Sequence, residues 1–577
     1  MVTASVTSVQ RVSVLRQHLP FLVLALAHSL ALFLAFFPVE WWFFAFVSPL
    51  PLFAAATRLA DTWRRGEARP GLALLSIWAG VIPFWAYTEW WIADVSAAGY
   101  PFLVLIQSFW PAGFVWVAAR FLRSFDRIGE RLGWIALALL WTGVEFFRGE
   151  LFGNGYAWGL IAYPLIDAPL FAAPARIGGV YFVSFLTCLP AAAVVAAMAR
   201  RRAGSLVAIV VWFLAHVAGQ LLEQRPTPEA RTFKVAAIQT NVPQSNKIGW
   251  TVEQELEELR HLMEMTDHAA AATPDLIVWP ETMMPGLTIE PSAIERLRES
   301  EIYFTVDTSG GPRKVFADHF ANELAALSAR TGAPLLIGED ARVGFEVRIL
   351  QDGVEFDSAQ RFNSVYLIHK GQLSSERYDK ARLTPFGETM PYISAVPGLQ
   401  QKLLDFGARG MKFDLDAGTK RTVFMVPGTS GTFRAATPIC FEITVGPYVR
   451  SLVFEGGVRR ADVLVNLTND GWFGTFAPAR AQHLQIARWR ALELATPIVR
   501  AANTGISCGI DASGRLKEVG PAGAASPALS EGVVAASVEL SSQVTIYARV
   551  GDVAGWLCAG LLLPALVAPG LRKRPRG

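Results

Sequence analysis

Apolar and polar positions follow two patterns along the chain, and the change comes near residue 223. Before it lie apolar runs near 19–38, 41–57, 71–92, 101–119, 133–147, 177–199 and 203–222, and one more occupies about 549–571. Each approaches the roughly 20 residues a helix needs to cross a hydrocarbon core. The run at 133–147 is short, and 151–175, rich in Gly, Pro and aromatics, predicts a re-entrant or interfacial segment. After Arg231 the texture becomes short β-rich runs between amphipathic helices. Strands are predicted at 233–239, 275–279, 334–338, 361–369, 433–438, 462–467, 499–503 and 505–510, and helices at 253–271, 322–331 and 479–494. Fully apolar strands alternating with helices imply a sheet covered on its faces. The expected domains are therefore 1–223 with seven transmembrane helices, 224–548 as an α/β domain, and 549–577 as an eighth span with a basic tail. Segments 283–318 and 389–430, rich in Gly, Pro and charge, read as insertions, and loops of that length are more often functional lids than plain connectors.

Composition agrees with a mixed chain. Of 577 residues 52% are hydrophobic and 18% charged, against roughly 25% charged in soluble domains, and mean hydropathy is +0.33. This excludes a disordered or collagen-like chain and an ordinary soluble enzyme. The 52 basic and 49 acidic residues are too many for spans alone. A net charge of +3 gives no argument for nucleic acid, and four cysteines cannot build a disulfide framework. Tryptophans crowd the predicted span ends, as at Trp41, Trp42, Trp90 and Trp91, like an interfacial belt. Arginine clusters precede the first span and follow the second, fourth, sixth and eighth, whereas loops 39–40 and 93–100 carry no Lys or Arg. The positive-inside rule then places both termini in the cytoplasm and 223–548 outside. The first apolar stretch is too long for a cleaved signal peptide, and the basic alternation continues after it. Glu145 and Arg148 are three apart, so a continuous helix would set them on one face as an ion pair.

The chemistry is concentrated in three places, each with an ionisable or nucleophilic residue just beyond a strand, where open α/β sheets place function. They are Trp279-Pro280-Glu281-Thr282, Tyr378-Asp379-Lys380 with Pro385-Phe386-Gly387-Glu388, and Thr437-Pro438-Ile439-Cys440-Phe441-Glu442. Alone, Cys440 is most often an inert buried thiol, Lys380 a solvated lysine and Glu281 a surface carboxylate. Together they meet the needs of acyl transfer: Glu281 as base for the thiol, Lys380 and the Phe441 N–H as donors to an oxyanion. Separations of 99 and 60 residues leave their meeting to the fold. Cys188 and Cys558 fall in spans, so only Cys508 can reach Cys440. There is no phosphate-binding loop, no H-E-x-x-H and no C-x-x-C, and His483 reads as a helix residue packing locally. No metal and no cofactor are expected.

At these motifs the domain resembles the nitrilase (carbon–nitrogen hydrolase) superfamily. The likeness rests on W-P-E, D-K-x-x-L-x-P-F-G-E and C-F-E, with N-x-T-N-D-G-W-F-G at 466–474 and R-A-x-N-T-G-I-S at 500–507. It implies an α-β-β-α sandwich with Cys440 as nucleophile, Glu281 as general base and Lys380 as stabiliser of the oxyanion. With eight apolar runs and E-F-F-R-G at 145–149, the chain resembles the apolipoprotein N-acyltransferase family in particular. That resemblance implies supporting roles for Glu388, Phe441 and Glu442. It also implies substrate access past Trp472, Phe473, Met390 and Tyr392. Phe441 stands where some members carry tyrosine, so only a backbone donor is available there. The implied reaction moves an acyl chain from a membrane phospholipid, through a Cys440 thioester, to the α-amine of a diacylglyceryl-modified apolipoprotein. The implied setting is a bacterial inner membrane, with the catalytic domain in the periplasm and the chain a monomer. A membrane-bound amidase or nitrilase, in which water takes the acyl group, is the alternative.

Overall fold

The computed structural model describes residues 2–67, 69–97, 99–124, 126–200, 202–223, 231–242, 250–308, 311–351, 353–385, 387–389 and 415–567. Met390, Tyr392 and the basic tail at 572–576 lie outside the described residues. The chain divides into two compact units: Met1–Arg225, Phe476–Gln485 and Thr545–Gly577 form one, Pro226–Thr475 and Ile486–Val544 the other.

The first unit is helical. Among the described residues five helices are long and apolar enough to cross a membrane: Gln17–Ala35, Pro70–Thr88, Gly99–Ser124, Ala175–Met198 and Ala203–Glu223. Helices Pro49–Arg64 and Asp126–Phe146 and the short apolar run Val553–Val567 accompany them. Proline at N1 starts Pro49–Arg64 and Pro70–Thr88, where its missing N–H costs no helical bond. Small residues let helices approach closely, as apolar membrane interfaces require. A Cβ on Gly80 would lie 3.0 Å from Leu22 O, and the Ser29 hydroxyl donates to Gly80 O at 2.8 Å.

The segment after Phe146 is a chain of short turns. A π-turn at Phe147–Leu151 leads into 3-10 turns at Phe152–Asn154 and Tyr163–Asp167 and a short helix at Pro169–Ala172. Glu145 and Arg148 stay close enough for their charges to attract, but their direct hydrogen bonds go to other partners. Glu145 Oε1 instead accepts from Ile161 N at 2.9 Å, while Arg148 Nη1 donates to the Trp158 carbonyl at 2.5 Å and Gln107 Oε1 at 3.4 Å.

The second unit contains β1 (Thr232–Gln239), β2 (Leu276–Val278), the hairpin β3 (Tyr303–Thr308) and β4 (Gly311–Phe316), and β5 (Leu335–Leu350). Next come β6 (Gly353–His369), β7 (Gln372–Asp379), β8 (Val423–Gly428), β9 (Gly431–Ala436) and the short pair β10 (Phe454–Glu455) and β11 (Val458–Arg459). The last strands are β12 (Val463–Thr468), β13 (Ile498–Ala502), β14 (Cys508–Ile510), β15 (Leu516–Val519) and β16 (Gly532–Glu539). Two six-stranded sheets result, ordered β16-β1-β2-β5-β6-β7 and β15-β14-β13-β12-β9-β8. Phe233 of β1 meets Phe433 of β9 with ring centroids 4.5 Å apart, so the sheets pack face to face. Helices Val252–Ala270 and His319–Thr331 cover the first sheet through a core that includes Leu262, Trp279, Leu327 and Ile337.

Two expectations are corrected. The segment 389–430 is not wholly an insertion, because β8 within it forms an edge of the second sheet, paired with β9. Strands β5 and β6 run far past 338 and begin well before 361, forming a long two-stranded ribbon. Its polar residues alternate without apolar runs, so pattern alone reads it as loop. The segment 283–318 is structured: helix Pro291–Glu299 and the β3–β4 hairpin share a small core of Ala293, Ile294, Leu297 and Phe345.

Gly338 of β5 lies under the turn that carries Glu281. A Cβ there would come within 2.8 Å of Glu281 Cα and 2.9 Å of Thr282 N, both backbone atoms that cannot rotate away. Gly338→Ala should therefore cost about 1–3 kcal/mol by overpacking, read as a lowered thermal unfolding midpoint.

Candidate active site

Each functional side chain is delivered by a strand end. Trp279, fully buried at the end of β2, donates its Nε1 proton to Thr266 Oγ1 at 2.9 Å, and this anchors the turn bearing Glu281. Pairing of Ser364 with Asp379 brings the β7 end beside β6, and Lys380 N donates to Asn363 O at 2.8 Å. Asp379 is clamped by Ser364 Oγ at 2.6 Å and by Arg377 Nε at 2.7 Å, and Arg377 also pairs with Glu290. Cys440 follows β9, where Ile439 bridges Leu467 and Asn466 Nδ2 donates to Pro438 O at 2.9 Å. Its φ of +46° is a left-handed conformation that non-glycine residues rarely adopt. Such strain persists only where surrounding contacts enforce it, and it is common at active sites.

These strand ends assemble one buried charge cluster. Lys380 Nζ lies 3.1 Å from Glu281 Oε1 and 2.8 Å from Glu388 Oε1, with the lysine 1% exposed. Burial opposes its charge, but the two carboxylates outweigh burial and hold it well above the ordinary lysine range. Burial likewise tends to raise Glu388, yet Lys380 and Thr384 N, which donates at 2.8 Å, bring it below the usual glutamate value. Asn363 Nδ2 reaches Glu281 Oε1 at 2.8 Å and Glu388 Oε1 at 3.3 Å, holding the like charges apart. The other oxygen of Glu281 accepts from Asn469 N at 2.7 Å. Burial pushes the Cys440 thiol up, Glu281 adds to the rise, and Lys380 opposes it. A thiol beside a buried carboxylate and an ammonium is an arrangement able to transfer a proton and then hold an oxyanion.

Glu442 braces the cluster from behind. Oε1 accepts from Ala381 N at 2.7 Å and Arg382 N at 3.0 Å, and Oε2 from Tyr378 at 2.6 Å and Ile439 N at 2.8 Å. It thus ties the residues after Lys380 to the residue before Cys440. Burial raises its pKa to about 7 despite those donors. Beneath the thiol, Arg500 Nη2 pairs with Asp470 at 2.8 and 3.0 Å, and Nη1 reaches Asn466 Oδ1 at 2.6 Å. Asn503 joins Asn469 Oδ1 at 2.9 Å to the Val242 carbonyl at 2.7 Å.

Of the residues singled out in the sequence, Glu281, Lys380, Glu388, Cys440 and Glu442 are brought together. Phe441 is half-buried. Trp472 and Phe473 lie in a 3-10 turn at Asp470–Phe473, with Trp472 half-buried and Phe473 buried. His483 packs on Trp158, ring centroids 5.9 Å apart. Cys188, Cys440, Cys508 and Cys558 form no disulfide. Among the described residues no group of His, Cys, Asp or Glu is placed to hold a metal. The motif reading missed Asn363, Tyr378, Asp470, Arg500 and Asn503 as parts of the network. Tyr378, Asp470, Arg500 and Asn503 lie within the motifs quoted above without a role of their own, and Asn363 shows only as a polar residue inside the otherwise apolar RFNSVYLIH.

Comparison with known proteins gives two family-model matches: the apolipoprotein N-acyltransferase N-terminal domain over residues 28–193 and carbon-nitrogen hydrolase over residues 234–547. An apolipoprotein N-acyltransferase of Bordetella bronchiseptica is 30% identical over 93% of this chain and 94% of its own length. The chain belongs to the apolipoprotein N-acyltransferase family. Further members with that name come from Azotobacter vinelandii (29% identity, covering 96% of this chain and 95% of the relative) and Geobacter metallireducens (28%, 90% and 91%). An amidase of the nitrilase superfamily from Nesterenkonia superposes with a TM-score of 0.35 at 13% identity, over 58% of this chain and all of the amidase. The chain is a membrane protein of acyltransferase type that contains a carbon–nitrogen hydrolase domain and a helical unit.

The depressed Glu388 pKa has a stability consequence. Its contribution is full above the unfolded glutamate value of about 4.3 and is lost as pH falls through the lower folded value. Glu388→Gln should therefore be less stable than the parent at neutral pH, and the gap should shrink as the medium is acidified below that range. Unfolding measured across an acid series checks this.

Proposed function

We propose that the chain transfers a fatty acyl group from a membrane phospholipid to the α-amine of the diacylglyceryl-cysteine of an apolipoprotein, through a thioester on Cys440. The observation that carries this reading is the buried Lys380 held between Glu281 and Glu388 beside Cys440, in a chain of this family with membrane-length helices.

In the first half-reaction Glu281 takes the thiol proton and the sulfur attacks an ester carbonyl. Lys380 and the Phe441 N–H receive the oxyanion. Collapse breaks the ester bond, and the lysophospholipid alkoxide leaves with the proton from Glu281. In the second, the lipoprotein amine attacks the thioester, Glu281 takes the amine proton, and the C–S bond breaks as the amide forms. The sulfur then recovers the proton from Glu281. Glu388 fixes the Lys380 ammonium, and Glu442 fixes the backbone on either side of the reacting groups. Access for both lipid substrates is assigned to the Trp472–Phe473 turn and to the segment bearing Met390 and Tyr392. The arginine clusters support eight spans, cytoplasmic termini and a periplasmic catalytic domain in a bacterial inner membrane.

The test incubates the full chain in membranes with phospholipid and a diacylated lipopeptide. A triacylated product and a thioester on Cys440 are expected. Cys440→Ala should give no thioester and lower transfer by about 10³-fold or more. Undiminished product in that variant overturns the mechanism, and release of free fatty acid without transfer assigns a hydrolase instead.

A further inference from the structure

A carboxylate offers about four lone-pair positions, two on each oxygen. On Glu281, Oε1 accepts from Lys380 Nζ at 3.1 Å and from Asn363 Nδ2 at 2.8 Å. Oε2 accepts from Asn469 N at 2.7 Å, and among the described residues no further donor reaches either oxygen. The lone pair left over therefore belongs to Oε2. That oxygen also faces the side of the site that carries the nucleophile. Ile439, the residue before Cys440, bridges Leu467 in parallel, and Asn469 lies two residues beyond Leu467. Oε1 faces the other way, toward β6 with Asn363 and the end of β7 with Lys380.

Asn363 fixes this division. Its backbone is held on both sides, paired with Asp340 of β5 and accepting from Lys380 N at 2.8 Å. Its amide nitrogen has two protons, so one side chain serves two carboxylates, Glu281 Oε1 and, at 3.3 Å, Glu388 Oε1. A hydroxyl, with one proton, could serve only one of them. Asn363 Oδ1 is buried without a hydrogen-bond partner among the described residues. An orphan acceptor is destabilising, yet the reverse orientation would set the amide oxygen against two carboxylates.

We propose that Asn363 is a positioning residue for acyl transfer: by filling Oε1 it leaves Oε2 as the atom of Glu281 that takes and returns protons. This rests on the acyl-transfer reading above and deepens it. In the first half-reaction Oε2 takes the thiol proton as the S–C bond forms, and gives it to the departing alkoxide as the ester C–O bond breaks. In the second it takes the amine proton as the C–N bond forms, and returns it to sulfur as the C–S bond breaks. Lys380, held on Oε1, keeps its ammonium throughout. Without Asn363 a lone pair opens on Oε1, beside Lys380 and away from the sulfur, and the carboxylate is free to turn.

The test uses the full-length protein in detergent, with two readouts: iodoacetamide alkylation of Cys440 followed by mass spectrometry, and thioester formation from a fluorescent phospholipid. Asn363→Leu, similar in volume but without a donor, should slow both by about tenfold or more, the size of one hydrogen bond to a charged group. The KM for phospholipid should stay unchanged, because Asn363 acts through Glu281. Asn363→Asp keeps the shape and donates only when its carboxyl is protonated. Facing Glu281, Glu388 and Lys380, this variant should approach the parent rate at acidic pH and fall away from it as pH rises. Parent-like rates in the leucine variant overturn the proposal, as does a loss seen only as a raised KM. An aspartate variant slow relative to the parent at every pH also overturns it, and decides the matter alone if the leucine variant does not fold. Alkylation needs no acyl donor, so this result stands apart from the Cys440→Ala experiment, in which surviving transfer would instead sink the thioester reading.

Discussion

A lysine ammonium buried to 1% exposure is the constraint around which the second unit is built. An isolated buried charge is expensive, and removing one partner of a buried pair typically costs about 3–5 kcal/mol. Lys380 is tolerable only with Glu281 and Glu388 both in contact, and those two carboxylates are tolerable together only with Lys380 and Asn363 between them. Each member comes from a different stretch of chain, so the charge balance exists only when β2, β6, β7 and the turn after β7 are all in register. The cluster therefore acts as a check on the fold as well as a source of chemistry.

The nucleophile obeys a second constraint. Cys440 is held at positive φ by contacts on either side of it, with Glu442 gripping Ile439 N and Asn466 gripping the Pro438 carbonyl. Glu442 spends its remaining acceptor capacity on Ala381 and Arg382, so the elbow and the lysine strand end are positioned by one carboxylate. The Arg500–Asp470 pair lies below, fully buried, and it fixes the floor of the site through Asn466 and Thr468. These are polar networks whose members are largely satisfied, the condition under which burial rigidifies a site instead of destabilising it.

The membrane unit uses different physics. Its helices gain little from hydrophobic transfer against lipid, so close approach of small residues such as Gly80 and a few buried polar groups hold them. Arg148 shows how a polar residue is accommodated: a π-turn redirects it to backbone carbonyls freed by the irregular segment that follows.

Much of this was legible along the chain. Apolar runs of span length, the arginine alternation, the central strands and the motifs around Glu281, Lys380 and Cys440 are local patterns, because each depends on residues that are neighbours in sequence. The β5–β6 ribbon and edge strand β8 were not legible, since their stability comes from a partner strand and not from an apolar run of their own. The hydrogen-bond partners of Glu145 and Arg148 were likewise not legible, since they lie in the irregular segment that follows. Which polar residues surround the thiol was also beyond local pattern. Asn363 looks like an ordinary strand residue, and Thr468, Asp470 and Arg500 have no separate role within their motifs, until parallel and antiparallel pairing places them together. The sequence by itself determined the residue types able to perform the chemistry and the division into membrane and α/β parts. Only the tertiary structure decided their partners and charge states, because hydrogen bonds and burial are set by groups far apart along the chain.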